Sequence, residues 1–115
     1  MGQSNSIARY SNDFELVVRA TKGLEHLLEA HFGAPSGKTV GLHDKINAAR
    51  DPAGLPLPAA MQKRMRYLVT IRNKLVHDRD FNAIPDRADF ARSFDEVEAQ
   101  LNAMLKASGG SCAIC

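Results

Sequence analysis

The segment MQKRMRYLVTIRNKLVHDRD, residues 61–80, holds the most regular apolar pattern of the chain and its densest chemistry. At 100° per residue, Met61, Met65, Leu68, Val69, Leu75 and Val76 fall on one arc, as expected of a helix that buries a stripe. Arg72 lands in the middle of that arc. Beside it Arg66, Thr70, Asn73 and His77 follow at steps of four, three and four, a continuous polar line flanking the apolar one. Two side chains are out of place on a plain surface helix. They are an arginine inside the stripe and a histidine where the helix is expected to stop.

Just upstream, residues 51–58 contain three prolines and a glycine, which breaks any helix there and predicts a surface connection. Pro58 suits the first turn of the helix that follows, predicted over 58–78. Nearer the start of the chain, Asn12 and Glu15 form a capping-box start for a helix over 12–33. Its expected face is Leu16, Ala20, Leu24, Leu27 and His31, and Gly33 is placed to end it in a left-handed turn. Between the turn at 34–37 and the proline-rich connection lies a shorter helix, 39–50, with Leu42, Ile46 and Ala49 as its apolar line and Thr39 as its cap. Downstream, Asp86 and Asp89 favour the start of a last helix over 86–107. There Phe90, Phe94, Val97, Leu101 and Leu105 recur at helical spacing. Four helices, short connections and no strand-like alternation predict an all-α, up-and-down four-helix bundle.

A chain of 115 residues suffices for one domain, expected over 12–107, with flexible ends at 1–11 and 108–115. Its hydrophobic fraction of 44% and charged fraction of 24% are those of an ordinary globule. A net charge of +2 does not indicate a globally basic nucleic-acid binder. The charge is unevenly spread, because residues 62–77 hold Lys63, Arg64, Arg66, Arg72 and Lys74 and no acid. No apolar run approaches the roughly 18 residues of a membrane span, and the first residues lack a hydrophobic signal region, so the expected location is cytoplasmic. Both cysteines fall in the last four residues, and no disulfide is expected to hold the fold. Gly2 with Ser6 fits the outline of an acylation signal, and Cys112 to Cys115 that of a prenylation box, but neither is expected to be used. His26 and His31 read as surface residues rather than metal ligands, and His43 beside Asp44 as a solvent-facing pair. Lys38 after Gly37 lacks the spaced glycines of a phosphate loop, and no cofactor is expected.

Arg72-Asn73, three residues, then His77, late in a long helix of a small all-α chain, resembles the signature of HEPN domains. The resemblance covers roughly residues 12–106. It implies a metal-independent endoribonuclease, in a toxin or defence setting, with catalytic Arg72, Asn73 and His77. His77 would move protons at the RNA 2′-hydroxyl or 5′-oxygen, Arg72 would stabilise the phosphorane, and Asn73 would orient phosphate or ribose. Lys63, Arg66, Thr70 and Lys74 would hold RNA phosphates. In that family two copies of the motif face each other across a homodimer, and an antitoxin of nucleotidyltransferase type is an implied partner.

Arg72 has two readings from the residues alone. A guanidinium left unpaired in a core costs several kcal/mol, so it meets a carboxylate, a phosphate or water. Glu25, Glu29, Asp95 and Glu98 are the candidate acids. The alternative function is correspondingly a non-catalytic HEPN-like binding or scaffold module, in which Arg72, Asn73 and His77 knit the bundle together and cap the end of the helix.

Overall fold

The chain folds as four α-helices: α1 Asp13–His31, α2 Leu42–Ala48, α3 Ala59–His77 and α4 Arg87–Ala107. The structure is a computed structural model describing residues 12–37 and 39–107. The acylation, prenylation and flexible-end expectations, and Lys38, lie outside those residues. Among the described residues the only non-helical pairing is an isolated bridge between Arg50 and Pro56, so the all-α four-helix expectation holds. None of the described helices is long and apolar enough to cross a membrane.

α1 starts as its sequence dictates, with the Asn12 side-chain oxygen accepting the Glu15 N–H at 2.9 Å. It ends where Gly33 takes a φ of 70°, letting the Ala34 N–H return to the Leu28 carbonyl. Its buried sector is wider than the expected face. Leu16, Ala20 and Leu24 are buried, but Val17 and Leu28 join them, while Leu27 is half-buried and His31 exposed. The reason is tertiary: α1 packs against all three other helices, so one narrow stripe cannot serve.

α2 is shorter than the 39–50 predicted. Gly41, not Thr39, precedes its first turn, with no side-chain cap, and the helix stops at Ala48. Ala49 is already extended, so that the Arg50 N–H can reach the Phe32 carbonyl at 2.8 Å and the Asp51 N–H the Leu55 carbonyl at 2.7 Å. These ties fasten the chain to the end of α1 and close the proline-rich turn.

The charged member of α2 is its anchor. Lys45 is 1% exposed, and its ammonium donates to Glu25 and Glu29, both on α1. Its hydrogen bonds to Glu25, then to Glu29, hold its pKa above the usual lysine value against the opposing effect of burial.

α3 begins after Pro58, which sits at the cap rather than in the first turn. Met61, Met65, Leu68 and Val69 are buried as predicted, each contributing roughly 1.5–3 kcal/mol relative to exposure. Ile71 is buried too, Leu75 is half-buried, and Val76 is 46% exposed, contrary to its place on the predicted arc. The last turn of α3 borders a crevice between α1 and the start of α2, so nothing covers Val76. In α4, Phe90, Phe94, Val97 and Leu101 are buried and Leu105 half-buried, with Asp86 accepting the Asp89 N–H at the start. Asp13 ties the start of α1 to the start of α4 by accepting from the Ile84 N–H and the Arg87 guanidinium.

Tyr67 also has a raised pKa, through burial first and then Asp89. Both Lys45 and Tyr67 hold their protons more tightly folded than unfolded, so their contribution is complete below about pH 10 and is lost as pH rises through the folded values. The melting temperature is therefore expected to fall as pH rises above about 10, and to fall less steeply in Lys45→Met/Tyr67→Phe. Identical slopes for the two proteins would contradict this.

Candidate functional site

The C-terminal half of α3 presents two different surfaces. On its solvent side Thr70, Asn73, Lys74 and His77 line an open cleft of about 590 Å³, together with Asp78 and Arg79 from the following loop. The helix periodicity that makes the polar line makes this cleft, since these residues lie within about 100° of one another around the axis. Asp78 shapes its floor: its N–H closes α3 on the Lys74 carbonyl, and its side chain accepts the Asp80 N–H at 3.0 Å. The Lys74 ammonium lies 5.6 Å from the Phe81 ring centroid, which places a cation beside the cleft. His77 is exposed and Asn73 half-buried.

Arg72 is not in that cleft. Five residues before His77, it points about 140° away around the helix. It lines a second, smaller crevice of about 290 Å³ with Val18, Thr21, Glu25, Leu42 and Val76. Its Nε is enclosed and has no hydrogen-bond partner. The expected ion pair with Glu25, Glu29, Asp95 or Glu98 is absent among the described residues. Glu25 and Glu29 are both committed to Lys45. Glu98 sits on α4 with a carboxyl pushed above the usual range by burial and then by Asp95.

The structural alternative asked Arg72, Asn73 and His77 to knit the bundle and cap α3. Among the described residues none of the three makes a side-chain hydrogen bond, and α3 ends on the backbone bond from Asp78 alone. Of the remaining candidates, Arg66 extends the polar line toward the start of α3, where it donates to Asn47 on α2. Lys63 is exposed one turn earlier on the same side. Arg64, by contrast, faces α4 and pairs with Glu96 at 3.0 Å. His26 and His31 are both exposed on α1. His43 departs from its solvent-facing expectation, being half-buried with an enclosed, unpartnered Nδ1.

The residue that sequence reasoning missed is Lys45. Its signal was present: it stands three residues after Leu42 and one before Ile46, inside the apolar line of α2. Glu25 and Glu29, one turn apart on α1, formed the matching acidic pair.

With no acid stranded by its removal, Arg72→Ala is not expected to show the 3–5 kcal/mol loss of a broken buried pair. Arg72→Met removes an orphaned N–H worth about 1–3 kcal/mol while filling the crevice, so stability by denaturant titration is expected to hold or rise. A loss of about 3 kcal/mol or more would reveal an acidic partner. Compared with protein-family models, curated proteins and solved structures, the chain matches none.

Proposed function

We propose that this chain is a HEPN-type endoribonuclease that cuts RNA without metal, acting as a homodimer in which each site draws on both copies. The observation that carries the reading is the division of the motif: His77 and Asn73 stand in an open cleft, and Arg72, unpaired, stands around the same helix turn. Within one copy the Arg72 and His77 side chains leave the helix about 140° apart. Between the two surfaces lies Val76, 46% exposed, on the uncovered last turn of α3. A second copy seated there by a twofold axis buries Val76 and brings the Arg72 of each copy toward the His77 of the other.

In such a site His77 takes the proton of an RNA 2′-hydroxyl, whose oxygen attacks the adjacent phosphorus. The 5′-oxygen leaves with a proton returned by the imidazolium, giving a 2′,3′-cyclic phosphate and a 5′-hydroxyl end. The guanidinium of the second copy takes the charge developing on the phosphorane oxygens in a bidentate grip. Lys63, Arg66, Thr70 and Lys74 hold flanking phosphates, and Asn73 orients the ribose. A toxin or defence role, with a nucleotidyltransferase-type antitoxin, follows from the resemblance of the Arg72-to-His77 motif.

The second reading is a non-catalytic HEPN-like binding module. It is favoured by one observation, that the Arg72 Nε is enclosed in a crevice that Glu25 also lines.

The deciding assay is cleavage of end-labelled RNA in chelator. Wild type is expected to cut and leave cyclic phosphate ends, and His77→Ala to lose about 10²- to 10⁴-fold in rate while melting normally. Light scattering is expected to give twice the chain mass. Undiminished cleavage by His77→Ala, or no cleavage of any RNA by wild type, would favour the binding module.

A further inference from the structure

Asn47, next to last in α2, gathers two guanidinium groups. Its side-chain oxygen accepts from Arg66 Nη2, and its carbonyl accepts from Arg50 Nη1 at 2.9 Å. The same Arg50 nitrogen reaches the Ala49 carbonyl at 2.8 Å, and Gln62 Oε1 lies 3.4 Å from Arg66 Nη2. All of these acceptors are neutral, so both arginines are held in place without losing their charge. Neither has a carboxylate partner among the described residues. The adjacent acid, Asp51, gives its Oδ1 to the Ala53 and Leu55 N–H groups instead. Lys63, one turn before Arg66, is exposed like Arg50, while Arg66 itself is half-buried.

Positioned guanidinium forks with free N–H groups facing solvent are the donor set that grips a phosphate in two places. Holding them on the backbone beforehand removes part of the ordering cost of binding. From Arg66 to His77 is eleven helical residues, or about 16 Å along the solvent face of α3. In a strand stacked at 3.4 Å per nucleotide that distance is about five nucleotides, fewer if the strand is stretched. Thr70, Asn73 and Lys74 lie on the path between.

We propose that Arg50 and Arg66, organised by Asn47, form a distal phosphate subsite for single-stranded RNA, which fixes the strand several nucleotides from the His77 cleft. Arg50 is the new member, since nothing in its own sequence neighbourhood marked it for this role. The proposal rests on the reading that the His77 cleft takes RNA, and it adds that the substrate is an extended strand rather than a short end.

The test is fluorescence anisotropy with a labelled, non-cleavable 2′-O-methyl RNA octamer and the full chain. Arg50→Ala/Arg66→Ala is expected to bind about tenfold more weakly, with a salt dependence shallower by roughly 0.7 in log–log slope for each phosphate no longer neutralised. A 2′-O-methyl trimer, too short to span the distance, is expected to bind wild type and variant alike. Should the alanine pair fail to fold, Arg50→Lys/Arg66→Lys keeps the charges but not the forks, and a severalfold loss is expected there too. Octamer binding equal to wild type in the folded variants would overturn the subsite and leave the RNA reading standing. Wild type that binds no octamer would overturn both.

Discussion

The ammonium of Lys45 sets what the rest of this molecule can do. α2 has only seven residues, too few to be stable on its own, and it stays folded because its side chains are held by the bundle. Leu42 and Ile46 bury there, and Lys45, placed between them, brings its charge onto α1 at Glu25 and Glu29. The ion pairs satisfy a lysine that would otherwise be costly to enclose. Glu25, one of these two acids, also lines the crevice that holds Arg72.

The second constraint is the rigidity of a helix. Residues five apart on α3 leave the helix about 140° from each other, and Arg72 and His77 line a crevice and an open cleft respectively. A motif split in this way makes sense either as two unrelated features or as the two halves of a site that closes between copies. The absence of any side-chain hydrogen bond from Arg72, Asn73 or His77 among the described residues counts against a purely structural role. Polar side chains at a helix end that serve the fold normally make such bonds.

Much of this was legible in the residues. The caps at Asn12 and Asp86, the turn at Gly33 and the apolar series of α4 each encode a local hydrogen bond or a single buried face, and local physics settles them. The polar line from Arg66 to His77 was readable for the same reason. What was not legible depended on neighbours. The early end of α2 follows from backbone bonds to Phe32 and Leu55, Val76 is exposed because no element covers the last turn of α3, and two of the four acids expected for Arg72 pair with a lysine on another helix. Asn47 likewise joins Arg66, nineteen positions away, to Arg50 in a way no periodicity announces.

The proposed chemistry requires Arg72 and His77 to act together across two copies. Mixing purified His77→Ala with Arg72→Ala, allowing subunits to exchange, and assaying RNA cleavage tests this directly. In a mixed dimer one site regains an intact His77 from one chain and an intact Arg72 from the other, so roughly a quarter of wild-type activity is expected from the mixture. Mixed dimers demonstrated by native mass, with cleavage no higher than that of either variant alone, would contradict a site shared between copies.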